Sequence, residues 1–287
     1  MGPPMPSCAT SLPILTLACL LAAPGIANAA SVSPPEAAKL APHRAIYDLE
    51  LGGSRASSPV TSVKGRLVFE FTGSVCEGFT QNMRFVMNIS NRDGGSTLSD
   101  LRSTTFEAPG GDKFRFSFND FQNDEATDTT SGDAVREGGT VAVSLVKPQE
   151  SKVSLPPGTL FPVQQTIALL AAAMRGEHRL AALLYDGSDK GQKAFFTNSV
   201  IGGARPASAD LEPVKNIERL ASLISWPVTI AYFDEGNTKT AGFPAHEMSF
   251  QFYENGVIRK LAIDYGSLQL RGTLAQIEFL EPGKCAK

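Results

Sequence analysis

The stretch Phe79-Thr80-Gln81-Asn82-Met83-Arg84-Phe85-Val86-Met87-Asn88-Ile89 decides the fold class. Its largest apolar side chains fall at Phe79, Met83, Phe85, Met87 and Ile89, and Gln81, Arg84 and Asn88 stand among the other positions. A period of two is that of an extended strand with one buried face, since successive side chains point to opposite sides of a sheet. Lys113-Phe114-Arg115-Phe116-Ser117-Phe118 repeats the period with one wholly aromatic face. Outward from these two, the same alternation runs through Ala45, Tyr47, Leu49 and Leu51, and through Leu67, Phe69 and Phe71. Later in the chain it returns at Val141, Val143 and Leu145, at Val228, Ile230 and Tyr232, and at Met248, Phe250 and Phe252. Ile258, Leu261, Ile263, Leu268 and Leu270 lead to a closing strand through Phe279. About a dozen strand candidates at a spacing of about ten residues predict a mainly β sandwich or barrel. Tyr253-Glu254-Asn255-Gly256 predicts a hairpin of strands 246–253 and 257–265, with Asn-Gly suited to a type I′ turn.

One segment breaks the pattern. Thr159 to Gly176 carries Pro162 near its start, strong helix formers through Ala171-Ala172-Ala173, and Gly176 as a stop, which predicts a helix. Its apolar residues go nearly all round, as expected of a helix enclosed by sheet. A shorter helical turn is expected near Lys215 to Leu220.

With 26 Lys+Arg against 29 Asp+Glu, a net charge of -3 and 42% hydrophobic residues, the chain is neither basic enough for a general nucleic-acid binder nor polar enough for disorder. Residues 1–29 read as a signal peptide, an apolar run ending in the small-residue sequence Ala27-Asn28-Ala29. A membrane anchor and a lipoprotein leader at Cys19 are the rival readings; Pro13 and Pro24 interrupt a run short of the roughly 20 residues of a spanning helix. Residues 30–42 read as a flexible lead-in and 43–287 as a single β domain, without internal repeat. Removal of the leader leaves Cys76 and Cys285, which in an oxidising compartment read as one structural disulfide; two separate buried thiols are the alternative.

The search for chemistry returns no enzyme motif. Ser144-Leu145-Val146-Lys147 has the S-x-x-K spacing of penicillin-recognising enzymes, but it sits in a strand pattern where that motif needs a helix start. Asp120, Asp124, Glu125 and Asp128 lack the ligand spacing of a calcium loop and read as a solvated acidic loop. Asp186-Gly187 reads as a turn, and His43, His178 and His246 have no catalytic neighbour in sequence. No Cys pair has the C-x-x-C spacing of a zinc or redox site, so no metal and no cofactor is expected.

Three segments resemble the cell-envelope integrity EipB family: Leu40 to Leu49, Gly65 to Phe79, and Leu155 to Phe161-Pro162. The likeness extends over nearly all of the chain after the leader, including Tyr185-Asp186-Gly187, Asn255-Gly256 and the late Cys285. It implies a periplasmic protein folded as one large antiparallel sheet wound into a spiral or open barrel around a central helix, with a disulfide at Cys76 and Cys285. It further implies a role in envelope integrity and stress resistance, with a periplasmic tetratricopeptide-repeat protein as partner. The resulting expectation is a non-enzymatic protein acting through protein-protein interaction. The alternative is a carrier of envelope lipid or lipoprotein, with acyl chains held against Met83, Phe85, Met87, Phe114, Phe116 and Phe118, which are more aromatic and flexible than a small core requires. An envelope hydrolase is a third, weaker reading, requiring serine, histidine and carboxylate to meet in space.

Overall fold

The computed structural model describes residues 40–206, 214–234, 242–283 and 285. The expected leader and most of the expected lead-in lie outside these. The last lead-in residues are part of the fold: Leu40 is buried and the Ala41 N–H donates to the Asn255 carbonyl.

The first half is a meander of eight strands: β1 (His43–Ser54), β2 (Val60–Ser74), β3 (Gly78–Asn91), β4 (Ser96–Glu107), β5 (Lys113–Gln122), β6 (Glu125–Glu137), β7 (Thr140–Lys147) and β8 (Ser151–Leu155). Helix α1 (Pro162–Met174) follows. A second meander then runs through β9 (Arg179–Leu184), β10 (Phe195–Ile201), a short helix α2 (Glu218–Ala221), β11 (Ser225–Phe233), β12 (His246–Tyr253), β13 (Ile258–Asp264) and β14 (Leu268–Phe279). The two meanders join where β14 pairs antiparallel with β1, giving one 14-stranded sheet with β8 and β9 at its ends. The sheet is not closed by a β8–β9 ladder; Leu160 instead forms a single parallel bridge to Leu184.

The alternation read from sequence becomes rows across the sheet. Tyr47, Leu67, Phe85 and Leu101 are register partners on successive strands, and Ala45, Phe69, Met83, Ser103 and Phe118 form the next row. The opposite face carries cross-strand ion pairs, among them Arg44–Glu70, Asp48–Arg66 and Arg115–Asp133. Such exposed pairs are worth only about 0–1 kcal/mol each. They mark the outer surface and leave burial to the inner one.

Helix α1 packs inside. Val163, Ile167, Leu169 and Leu170 share a core cluster with Phe71 and Phe79 of the first meander and with Phe195, Trp226, Val228 and Ile230 of the second. Both helix ends are satisfied. Pro162 takes the first helical position, where a missing N–H costs nothing. The Glu107 carboxylate, projecting from β4, accepts the Val163 N–H and, at 3.2 Å, the Gln164 N–H. At the other end Gly176 adopts a positive φ of 73°. Its N–H donates to Ala173 and that of Glu177 to Ala172, both at 3.0 Å, which closes the last turn as a Schellman motif.

Three expectations need correction. The acidic stretch around Asp124 is exposed as expected but is the tip of a hairpin, not a loop: Asn123 and Asp124 both have positive φ, and Asp120 faces Asp128 across the β5–β6 ladder. The inward residues of β6 opposite the phenylalanines are Thr130, Gly132 and Ala134, small because the rings of Phe118, Phe116 and Phe114 occupy the space. The type I′ turn expected at Asn255-Gly256 is a longer connection, in which Gly256 alone has a positive φ and its N–H donates to Tyr253. The helical turn expected at Lys215 to Leu220 is placed slightly later, at Glu218–Ala221.

Candidate functional site

The rows of inward side chains do not meet at the centre. Between the two meanders lies a cavity of about 430 Å³, within the roughly 300–1,000 Å³ range of small-molecule sites. Its wall takes Leu67, Phe69, Met83 and Phe85 from the first meander and Ile230, Met248, Phe250 and Leu261 from the second, with Leu169 of α1 along one side. The interior is apolar because both meanders turn their alternate apolar positions to the same space, and α1 fills only part of it.

The ligand-facing residues expected from sequence divide into two groups. Met83, Phe85 and Phe118 line the cavity. Phe114, Phe116 and Met87 do not: Phe114 and Phe116 are each 1% exposed and packed with Phe161 and Tyr185 in a separate core cluster. Phe114 stacks on Phe161 at 5.0 Å, and Tyr185 meets the edge of both strand rings. Met87 packs among the residues of a third cluster beside Leu67 and Phe85.

Polar groups at the wall are few and mostly satisfied. The Gln165 amide donates to Thr197 Oγ1 at 2.9 Å, and Thr197 in turn donates to the Ala182 carbonyl. The Tyr47 hydroxyl donates to the Ile258 carbonyl at 2.8 Å, and burial pushes its pKa upward. At one end of the cavity the wall becomes polar. Asp186 lies just after β9, Tyr232 near the end of β11 and Tyr265 just after β13, and antiparallel order brings those strand ends to one rim. His246, at the start of β12, stacks on Tyr232 at 4.3 Å and lies 6.0 Å from Tyr265. Burial lowers the His246 pKa while the Asp186 charge raises it. Sequence reading missed this grouping, because the four residues come from separate segments and Asp186-Gly187 signals only a turn.

At the start of α1, Glu107 is 3% exposed, and burial pushes its pKa up to about 8 against the pull of the Val163 and Gln164 N–H groups and of Arg136. Arg136 donates to the Thr159 carbonyl and to Gln164, so the start of α1 is held from β4 and β6 together.

Cys76, in the β2–β3 turn, is bonded to Cys285 in the segment after β14, with Cα atoms 5.4 Å apart. The bridge spans β1, which lies between β2 and β14 in the sheet. Ser144 and Lys147 both lie on β7, so the S-x-x-K spacing has no helix to present it. His43 and His178 each contact a backbone carbonyl through Nδ1, that of Ala41 and that of Ile201. Among the described residues no three His, Cys, Asp or Glu side chains gather as a metal site, and no helix is long and apolar enough to cross a membrane.

An open, barrel-like antiparallel sheet with an internal helix and an apolar lumen defines a class of lumen-bearing β proteins. Residues 34–281 match the sequence model of the EipB-like family, and the chain belongs to that family. The chain is 36% identical over 260 residues to the cell envelope integrity protein EipB of Brucella abortus (strain 2308), covering 91% of each sequence. It superposes with a TM-score of 0.78 on the crystal structure of a β-barrel-like protein of a domain of unknown function from Brucella abortus. That match has 35% identity and covers 84% of this chain and 99% of the other.

Proposed function

We propose that this chain maintains the integrity of the cell envelope from the periplasm, as a non-enzymatic protein that holds an acyl chain in its lumen. The observation that carries the reading is the cavity of about 430 Å³ enclosed by both meanders and α1, lined by Met83, Phe85 and Phe118 among other apolar side chains. An apolar space of this size inside a sheet is a default ligand site, because burying a methylene group in it gains about 0.8 kcal/mol. Family membership supports the envelope role. The Cys76–Cys285 bridge supports an oxidising compartment. The sequence and its family resemblance rank action through a protein partner first; we rank the lumen reading ahead of it because a docking scaffold has no need of a large apolar interior cavity.

The test is organic extraction of the oxidised protein purified from its native envelope, with mass spectrometry of both lipids and co-purifying proteins. Stoichiometric acyl lipid, displaced in a Met83→Trp variant whose indole occupies the lumen, is the expected result. A tetratricopeptide-repeat protein recovered without lipid, together with failure of the purified protein to bind 1-decanol, would overturn the reading in favour of a partner-binding scaffold.

A further inference from the structure

The lumen is chemically asymmetric. Among the described residues its lining carries one charged side chain, Asp186, and no lysine or arginine. The carboxylate accepts the Ser188 N–H at 2.9 Å, and it forms no ion pair among the described residues. The nearby cation Lys193 is committed to Asp189 and Asp234. Around Asp186 the wall is aromatic: Tyr232 and Tyr265 line the same cavity, and His246 stacks between their positions. The Asp186 charge is close enough to act on Tyr232, His246 and Tyr185.

Resting on the reading of the lumen as an acyl-chain site, we propose that the Asp186–Tyr232–Tyr265 rim receives a cationic head group, so that the preferred occupant is a single-chain amphiphile with a positively charged amine. An aromatic face and a carboxylate act in the same direction here. Each attracts a cation, the ring through its quadrupole and the carboxylate through its charge. Both oppose an anionic head, which would meet Asp186 with no cation among the described lining residues to offset it. The alkyl chain then runs inward between Met83 and Phe85 of one meander and Met248 and Phe250 of the other. Tyr265 is 45% exposed, which places this end at the mouth, where a head group keeps part of its hydration. Burial lowers the His246 pKa, so the imidazole of the stack does not take the cation's place.

The experiment titrates the full oxidised protein, below micelle-forming concentrations, with three probes of equal chain length: decyltrimethylammonium, 1-decanol and decyl sulfate. Decyltrimethylammonium is expected to bind about tenfold or more tightly than the other two. In Asp186→Asn the ratio of decyltrimethylammonium to 1-decanol affinity should fall towards one. Tyr265→Leu, at the exposed rim, should lower the same ratio by a smaller factor, and it supplies the test if Asp186→Asn does not fold. Equal affinity for all three probes, or a preference for the sulfate, would overturn the head-group proposal and leave the lumen as a neutral acyl site. Failure of all three to bind would overturn the lumen reading and this proposal together.

Discussion

Replacing Glu107 by Gln should remove most of a pH dependence that the wild-type fold carries. The Glu107 carboxylate is buried at the start of α1 and titrates at about 8, where the unfolded chain titrates near 4.5. The folded state therefore holds an extra proton between those two values. The stability Glu107 contributes is full below about 4.5 and is lost as pH rises through about 8. At about 1.4 kcal/mol per pH unit, the loss between about pH 5 and about pH 7.5 is roughly 3 kcal/mol. Glutamine has no proton to lose. It keeps one acceptor for the Val163 or Gln164 N–H and leaves the other donor unmatched, costing about 1–2 kcal/mol. The variant should thus be the less stable protein at about pH 5 and the more stable at about pH 7.5. Urea unfolding of the oxidised protein, followed by fluorescence of its single tryptophan, Trp226, measures both curves. His43 and His246 have lowered pKa values and contribute with the opposite sign, but the difference between variant and wild type cancels them. Parallel pH profiles for the two proteins would refute the reasoning and show that the helix N-terminus keeps the carboxylate charged throughout.

Reduction of Cys76–Cys285, or Cys76→Ser, should destabilise the fold by about 2–5 kcal/mol, since the bridge closes a sequence separation of 209; an unchanged melting temperature would count against it. Asp100, bonded to both Arg84 and Arg102, is held at about 2, so its contribution is present above about 4 and lost as pH falls through about 2. Asp100→Asn should accordingly cost about 1–2 kcal/mol near neutral pH and little near pH 2, read by thermal melts at each pH. Gly187→Ala should lose about 2–3 kcal/mol in urea unfolding, because φ is +80° there and a Cβ would lie 2.5 Å from the Phe116 ring.

The legible strands were those whose inward positions are large and apolar. β7 alternates in sequence and in burial alike, β5 does so from Lys113 to Phe116, and Pro162 and Gly176 bracket α1 as expected. Two of the strands missed have inward positions that do something other than fill a core. On β4, Ser103 and Thr105 line the cavity and Glu107 caps the helix, so its inner face beyond Leu101 is polar. On β6, Thr130, Gly132 and Ala134 give room to the rings of β5. Hydrophobic period detects volume, and neither a cap nor a vacancy has any. The same limit divided the candidate site. Met83, Phe85 and Phe118 differ from Phe114 and Phe116 not in their own pattern but in what stands opposite, since Phe161 and Tyr185 fill the space before the latter pair. Asp186, Tyr232, His246 and Tyr265 meet only because antiparallel order brings their strand ends to one rim.

The pairing of β1 with β14 also governs the order of assembly. The first meander can form strand by strand, each hairpin waiting only for its neighbour, but the free edge of β1 has no partner until β14 reaches it. Until then that edge offers unpaired N–H and C=O groups to any extended segment nearby. Completion of the sheet is thus a post-synthetic event, and bonding of Cys285 to Cys76 across β1 turns it into one that is not readily reversed. A chain of this architecture therefore keeps its leading edge open to mispairing until β14 docks.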